Sequence, residues 1–267
     1  MDFSRNINVF SGMSQIYERG RPAVSPELAD MLEQYLGHKP DCVVDVGCGT
    51  GKSLSVWTSR ARSIYGLEPN KEFHGVAERK FSSENNMHIL DDYGEEISLP
   101  DSSADLITCV QVFHWLDTEH ALSEFNRILV PGGIAAACDF SFPPVSIWEA
   151  DRAYAELLQL QKEMDRKYPE LNKNVFEGDK AQNLRKFQES GYFAYCRNAS
   201  FICSEQFDAQ RYVDLAFSQS ILRRVEDAQI PEAMPVIKAF KETVFKAFGS
   251  STIETRFCMQ LTIGVKK

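Results

Sequence analysis

The sequence predicts an α/β fold with a mostly parallel sheet and helices on both of its faces. Short apolar segments recur at about 42–46, 63–67, 87–90, 105–110 and 134–140. Helical stretches or loops separate them, and repeated β-then-α units form parallel strands joined by right-handed crossovers. A glycine-rich turn follows the first segment, which places a ligand beyond the carboxyl ends of the strands.

A helix over 24–36 precedes the first strand, with Ser25 as its N-cap and Pro26 as its first residue. One face of this helix is apolar and comprises Leu28, Met31, Leu32 and Leu36. After 141 the composition changes, and a long helix is predicted over Trp148 to Lys167, with an apolar face of Tyr154, Leu157, Leu158 and Met164. Two more strands are predicted near 192–202 and 254–265, with helices that start near Ser204 and Pro231.

The most informative segment is the turn after the first strand, where Asp45 is followed by Gly47, Cys48, Gly49 and Gly51. Glycine lacks a Cβ and adopts positive φ, so a ligand can lie directly against this backbone. The carboxylate of Asp45 repels a pyrophosphate and attracts the ammonium of a cofactor that carries an amino acid. The next residues, Lys52-Ser53, are expected to begin a helix.

Three phosphate-binding motifs do not match the sequence of this turn. A P-loop needs a glycine where the chain has Val46. A dinucleotide fingerprint needs its third glycine one residue later than Gly51. A protein-kinase glycine loop needs the same spacing as the dinucleotide fingerprint, and it lies on a hairpin and not on a strand-to-helix turn.

The segment Asp45-Val46-Gly47-Cys48-Gly49-Thr50-Gly51 resembles motif I of the class I S-adenosylmethionine-dependent methyltransferases. The second strand ends at Glu68, where this family places an acid that binds both ribose hydroxyls. The resemblance also places Pro69 and Asn70 beside the ribose or the methionine portion. About twenty residues between glycine loop and acid are found in other nucleotide sites too, so Glu68 alone does not separate the classes.

The stretch from Tyr93 to Asp105 resembles the family's passage from strand three to strand four. Many relatives have an aspartate that accepts from the adenine amino group where this chain has Tyr93. Adenine recognition is therefore expected from stacking or from the amides near Gly94 and Glu95. Gln111 and Val112 follow strand four and complete the expected cofactor contacts.

The pair His114-Trp115 is similar to small-molecule methyltransferases of the type 11 group, including the trans-aconitate, juvenile-hormone-acid and ubiquinone/menaquinone-biosynthesis enzymes. Pro131-Gly132-Gly133 matches the junction where the family's helix ends before strand five. His114 is the candidate general base for a hydroxyl, amine or activated carbon. The alternative is that His114 only shapes the pocket, and a carboxylate acceptor needs no base.

The segment from Phe10 to Pro22 also resembles the family, in which a Tyr and an Arg before a Pro fold over the cofactor. Tyr17 is the preferred hydroxyl, and Arg21 the preferred donor to the methionine carboxylate, which a guanidinium can bind in two places at once. The alternative is that Arg19 and Arg21 are solvated surface charges.

The resemblance implies a Rossmann-like class I methyltransferase fold of seven strands, the last antiparallel, in one domain over 1–267. Its expected parts are an N-terminal lid segment (1–23), a cofactor-binding core (24–140), a helical insertion (141–191) and C-terminal helices and strands (192–267). The insertion either roofs the acceptor site or packs on the sheet edge without touching substrate. The expected donor is S-adenosyl-L-methionine, with S-adenosyl-L-homocysteine as product.

Composition limits the partners. The net charge of −9 and a pI near 5.2 argue against nucleic acid, and no apolar run approaches the ~20 residues that cross a bilayer. Seven cysteines without C-x-x-C spacing, together with the lack of a signal-peptide pattern, predict a reduced, cytoplasmic protein. The spacing of His38, His74, His88 and His120 predicts no metal site. A monomer or homodimer is expected.

The leading function is methyl transfer to a small-molecule acceptor, at oxygen or carbon, by in-line displacement. A second hypothesis is a protein that binds the cofactor without turnover. A third, an NAD-dependent oxidoreductase, is contradicted by the glycine spacing.

Overall fold

The computed structural model describes residues 4–172 and 175–267, so 1–3 of the predicted N-terminal segment and 173–174 of the predicted insertion lie outside the described residues. The strands are β1 (Cys42–Val46), β2 (Ser63–Leu67), β3 (Met87–Leu90), β4 (Ala104–Val110), β5 (Leu129–Phe140), β6 (Phe193–Phe207) and β7 (Ile253–Lys266). They form one seven-stranded sheet in the order β3-β2-β1-β4-β5-β7-β6. The first five strands are parallel, and β7 runs antiparallel between β5 and β6. The predicted fold class is confirmed.

Nine α-helices lie within the described ranges. They are α1 (Ser14–Gly20), α2 (Pro26–Leu36), α3 (Lys71–Lys80), α4 (Thr118–Ile128), α5 (Trp148–Lys167), α6 (Asn183–Glu189), α7 (Ala209–Phe217), α8 (Ser220–Asp227) and α9 (Met234–Phe248). As predicted, Ser25 caps α2, with its hydroxyl accepting from the amide of Glu27, and Pro26 opens the helix. None of the described helices is both long and apolar enough to span a bilayer.

The sheet separates two apolar cores, because successive residues of a strand point to opposite faces. On β1, Val43 belongs to one core and Val44 to the other, and both are fully buried. The larger core contains buried residues of α2, α5, α7 and α9, and the smaller one contains the apolar face of α4. The helical layers therefore cover both faces and leave the carboxyl ends of the parallel strands for the site.

The helix predicted to begin at Lys52-Ser53 is wrong. The structure has a single 3-10 turn there, Leu54–Val56, between non-helical turns. Serine and threonine side chains compete for backbone groups, which disfavours a regular helix. Here the hydroxyl of Ser55 donates to the carbonyl of Gly51, and that of Thr58 donates to the carbonyl of Ser55.

Two further boundaries differ from the prediction. Ser204 lies inside β6, since this strand pairs with β7 as far as Phe207, and α7 begins only after Asp208, whose carboxylate caps it by accepting from the amide of Arg211 at 2.7 Å. The helix expected from Pro231 begins at Met234.

The segment Pro131-Gly132-Gly133 does not itself end α4. The helix ends at Ile128, and the three residues lie within β5, where its register with β4 shifts between Ala104 and Leu106. Gly132 has a φ of +78°, which suits an irregular start of a strand.

Gly20, at the end of α1, lies where this helix packs closely against the backbone of α7. A Cβ added there would lie 2.5 Å from the carbonyl carbon of Asp214 and 2.6 Å from the nitrogen of Leu215. Because backbone cannot move aside cheaply, Gly20→Ala should lower the free energy of unfolding by about 2 kcal/mol in a urea titration. The matched control is Gly75→Ala in α3, whose Cβ would meet only the flexible end of Arg79. The control should be neutral or slightly stabilising, and equal effects at both positions would contradict the close packing.

Candidate functional site

The carboxyl ends of the parallel strands enclose a cavity, named here the strand-end cavity. It is lined by residues that follow β1, β2, β3 and β4, together with residues of the N-terminal segment. The sequence-predicted residues in this lining are Tyr17, Gly47, Gly49, Glu68, Pro69, Asn70, Tyr93, Gly94, Glu95, Gln111 and Val112. The structure therefore brings most of the predicted cofactor residues together.

Five predicted residues lie elsewhere. Cys48 and Arg21 line a smaller pocket beside the glycine turn, together with Gly47, Lys52 and Gln111, and His114 lines the side chamber described below. Asp45, before the turn, and Gly51, within it, line none of these cavities.

The glycine turn has the backbone geometry that the sequence predicts. Gly47, Gly49 and Gly51 have φ values of +62°, +59° and +79°, a region that other residues adopt at a cost. Close packing also requires glycine, because a Cβ at Gly47 would lie 2.6 Å from a methyl of Val112. A residue after β4 therefore fixes the turn after β1.

Asp45 holds the turn from below. Its carboxylate accepts from the hydroxyl of Ser53 and from the hydroxyl of Thr108, each at 2.5 Å. Burial raises the pKa of Asp45 to about 6, against the opposing effect of these two hydrogen bonds. In this conformation both oxygens are occupied within the protein, and the carboxylate does not face the strand-end cavity.

Glu68 faces the cavity from the end of β2. One of its oxygens accepts from the amide of Gly49 at 2.9 Å, and the other accepts from the amide of Asn70 at 2.8 Å. Burial raises the pKa of Glu68 to about 7, although both amides favour the ionised form. The carboxylate is thus held rigidly beside the glycine turn.

The N-terminal residues 6–14, named here the N-terminal strap, close one side of the cavity. Asn70 donates to the carbonyl of Ile7 at 2.8 Å, which ties the strap to the start of α3. At the other end, the side-chain amide of Asn6 donates to the carbonyls of Trp115 and Phe176, both at 2.9 Å. The strap therefore connects the cavity to the segment after α5.

Several residues of this lining were missed by sequence reasoning. Phe10 of the strap lies edge-on to Trp115, with ring centroids 5.7 Å apart, and both line the cavity. Asp92 also lines it, one position before Tyr93, and accepts from the amide of Ser98 at 2.8 Å. An aromatic residue in the strap and an acid beside Tyr93 were visible signals, but their positions depend on tertiary packing.

Arg21 is 7% exposed, whereas the side chain of Arg19 is 60% exposed and pairs with Asp214 at 2.8 Å. Arg21 donates to the hydroxyl of Ser218 at 2.7 Å, and its guanidinium lies 5.1 Å from the ring centroid of Tyr17. No carboxylate of the described residues lies within 4 Å of it. The alternative that Arg21 is a solvated surface charge is wrong.

A second cavity adjoins the first and is named here the side chamber. It shares Phe10, Tyr17, Gln111 and Trp115 with the strand-end cavity and is further lined by Arg21, His114, Phe142, Gln161, Glu177, Lys180, Gln219, Ser220 and Ile221. The insertion thus contributes Gln161, Glu177 and Lys180 to its wall. α5 also packs on the main core through Tyr154 and Leu157, so the insertion both lines this cavity and packs on the sheet.

His114 is 2% exposed and lies between two carboxylates. Its Nδ1 is 3.5 Å from Asp139 Oδ1, and its Nε2 is 3.9 Å from Glu177 Oε1. Burial lowers the pKa of His114, against the opposing effect of Asp139. Burial raises the pKa of Glu177. The imidazole is therefore neutral near pH 7 and available as a proton acceptor.

Asp139, at the end of β5, was also missed by sequence reasoning. Burial opposes its ionisation, but His114 and Lys180 together hold the pKa of Asp139 below its usual range. Lys180 Nζ lies 3.2 Å from Asp139 Oδ1 and donates to Gln111 Oε1 at 2.7 Å. No group of three or more potential metal-ligating side chains occurs in the described ranges.

Thr108→Val tests the network beneath the turn. The pKa of Asp45 is raised on folding, so stability from this group is present at low pH and is lost as the pH rises through about 6. Removing the Thr108 hydroxyl raises this pKa further. We expect a loss of about 1–3 kcal/mol in unfolding free energy at pH 8 and a smaller loss at pH 5.

The control for this variant is Thr262→Val, which removes a hydroxyl bonded to the amide oxygen of Asn198 and not to a carboxylate. Its effect should not depend on pH. A Thr108→Val effect that is equally independent of pH would contradict the assigned network.

Sequence similarity to known proteins is found in the segment that contains the parallel strands. Residues 44–137 match the family model described as a methyltransferase domain. An uncharacterized methyltransferase of Mycobacterium tuberculosis is 34% identical over 117 residues, which is 44% of this chain and 46% of the relative. The ubiquinone/menaquinone biosynthesis C-methyltransferase of Campylobacter jejuni is 27% identical over 107 residues, 37% of this chain and 44% of the relative. The likeness thus spans about half the length of these curated relatives.

Solved structures extend the likeness of fold to nearly the whole chain. A candidate type II methyltransferase from Anaeromyxobacter dehalogenans has a TM-score of 0.66 at 16% identity and covers 92% of this chain and 97% of its own. Phosphoethanolamine N-methyltransferase 2 of Haemonchus contortus has a TM-score of 0.56 at 13% identity, over 100% of this chain and 60% of its own. Residues 44–137 therefore match a methyltransferase domain, and the chain has the Rossmann-like fold seen in solved methyltransferases.

Proposed function

We propose that the protein is an S-adenosylmethionine-dependent methyltransferase that methylates a small molecule at oxygen or carbon by in-line displacement. The observation that carries this proposal is the junction of the two cavities. A glycine turn and a fixed Glu68 carboxylate line the strand-end cavity, and a buried His114 lines the side chamber that opens from it. A donor site and an acceptor site thus adjoin.

The residues of the strand-end cavity fit the chemical parts of this cofactor. The Glu68 carboxylate would accept from the two ribose hydroxyls, and the glycine backbone would lie against the methionine portion. The buried guanidinium of Arg21 beside the turn would pair with the methionine carboxylate, and Tyr17 would add a hydroxyl. Tyr93, Gly94 and Glu95 would contact adenine. The solved Haemonchus contortus enzyme is a complex with S-adenosylhomocysteine, which supports this assignment.

The cofactor's sulfonium supplies an electrophilic methyl group when it is bound. The chain must align the acceptor, exclude water and remove a proton where the acceptor has one. Phe10 and Trp115 line both cavities and so form an apolar wall where they meet. His114 is the proposed general base, because it is neutral and lies in the adjoining chamber.

Two properties of the whole chain support a small acceptor and a reducing compartment. The net charge of −9 disfavours a polyanionic substrate, and all seven cysteines are free thiols. We therefore place the enzyme in the cytoplasm, with a metabolite as its partner.

The direct test is incubation of the protein with methyl-labelled S-adenosylmethionine and fractionated small-molecule extract. Formation of S-adenosylhomocysteine together with a labelled product supports the proposal. Tight binding of the cofactor without turnover on any fraction would favour a binding protein that lacks chemistry.

Arg21→Ala should weaken binding of S-adenosylhomocysteine at least several-fold by titration calorimetry, because a buried cation that pairs with the cofactor carboxylate is lost. Arg19→Ala is the matched control, since the side chain of Arg19 is 60% exposed and such ion pairs contribute little. Unchanged affinity in Arg21→Ala would remove this residue from the cofactor site.

Glu68 should make cofactor binding depend on pH. Ribose hydroxyls donate to the ionised carboxylate, and the pKa of Glu68 is about 7 in the free protein. Affinity should therefore rise as the pH increases to about 7 and level off above it, with up to about a tenfold loss for each unit below. In Glu68→Gln the affinity should be lower and independent of pH over this range. The same pH profile in both proteins would contradict the role of Glu68.

A further inference from the structure

Two buried atoms beside the side chamber face each other without a normal hydrogen bond. They are Nδ1 of His114 and Oδ1 of Asp139, 3.5 Å apart, and neither makes a hydrogen bond of normal geometry within the described ranges. Their residues are 2% and 6% exposed. Hydrogen bonds of catalytic groups are often long before a ligand binds and then shorten. The pair thus has the geometry of an imidazole oriented by a carboxylate.

Asp139 is itself held in place. Asn183 donates to its Oδ2 at 3.2 Å, and Lys180 Nζ lies 3.2 Å from its Oδ1. The carbonyl of His114 accepts from the amide of Gly178 at 2.6 Å, which fixes the backbone of the histidine. Because both partners are anchored, a bond from Nδ1–H to Asp139 would leave Nε2 as the unprotonated nitrogen on the other side of the ring.

The charges around the chamber favour an uncharged acceptor. Under the proposed function, Arg21 is neutralised by the cofactor carboxylate, and Lys180 is paired with Asp139. Glu177 then remains without a neutralising cation, because no lysine or arginine of the described residues lies within 4 Å of it. His114 Nε2 lies 3.9 Å from its Oε1. A carboxylate acceptor placed near Nε2 would be repelled by this group.

We propose that Asp139 is the positioning residue that directs His114 Nε2 toward the side chamber, and that the chamber takes an uncharged acceptor with a nucleophilic hydroxyl. This inference rests on the proposed function and narrows it to O-methylation. The hydroxyl proton moves to His114 Nε2 while an oxygen lone pair forms the new O–C bond. The C–S bond breaks with its electron pair left on sulfur. The products are a methyl ether, S-adenosylhomocysteine and a protonated His114, which then returns its proton to solvent.

The role of Asp139 can be measured without the acceptor, by nitrogen NMR of the intact protein labelled at histidine. Neutral His114 should carry its proton on Nδ1. Asp139→Asn should mix the two tautomers and lower the pKa of His114 by at least about half a unit, since the carboxylate stabilises the imidazolium. A proton on Nε2 in the unaltered protein would overturn the proposal even if the variant did not fold.

Asp179→Asn is the matched control. Asp179 lies next to Lys180 and accepts from the amide of Ala181, and among the described residues no hydrogen bond or ion pair joins it to His114. This variant removes one carboxylate from the same segment and should leave the tautomer and the pKa of His114 unchanged. Equal shifts in both variants would show a general effect of charge and contradict a positioning role.

The acceptor class is tested by the chemistry of the labelled product. A methyl ether keeps its label in mild alkali and supports the proposal. A methyl ester releases labelled methanol and would overturn it, as would a methyl group found on nitrogen or carbon by mass spectrometry. Binding of S-adenosylhomocysteine without any labelled product would contradict the proposed function, and with it the acceptor class, whereas the tautomer measurement judges Asp139 separately.

Discussion

The hydrogen bond from the amide of Gly49 to the carboxylate of Glu68 joins the turn after β1 to the end of β2. It fixes the glycine turn at the point where the cofactor is proposed to bind. Asp45 supports the same turn from below through Ser53 and Thr108, and Val112 packs against Gly47 from the side. Residues from three neighbouring strand ends therefore depend on one short backbone segment.

This arrangement has an energetic cost. Burying a carboxylate is unfavourable unless hydrogen bonds compensate for lost water, and Asp45 and Glu68 remain with pKa values of about 6 and about 7. The left-handed backbone of Gln111, with φ +59° in a residue other than glycine, adds local strain. Such costs are typical of binding sites, where a rigid and partly unsatisfied surface is prepared for a ligand.

The sequence predicts the fold well because strand and helix periods are local properties. The strand at Cys42–Val46 and the helix at Trp148–Lys167 have the predicted bounds. Where side chains compete for the backbone, as after the glycine turn, the predicted helix is wrong. The end of β6 was also misplaced, because its pairing with β7 comes from residues about fifty positions away.

The candidate site was predictable only in part, for the same physical reason. Motif spacing identifies Gly47, Gly49 and Glu68, since each contact lies near a strand end whose order the fold fixes. The pairing of His114 with Asp139 joins residues that no motif relates. Lys180 reaches this pair from the insertion, where the resemblance to relatives is weak. The lining of the strand-end cavity was therefore predictable in large part, and the surroundings of His114 were not.

The central claim is that the strand-end cavity binds an S-adenosyl compound rather than a dinucleotide. Titration calorimetry of the unaltered protein with S-adenosylhomocysteine, and separately with NADH, tests it most directly. We predict saturable binding of one S-adenosylhomocysteine for each chain and none of NADH. Binding of NADH without binding of S-adenosylhomocysteine would contradict it.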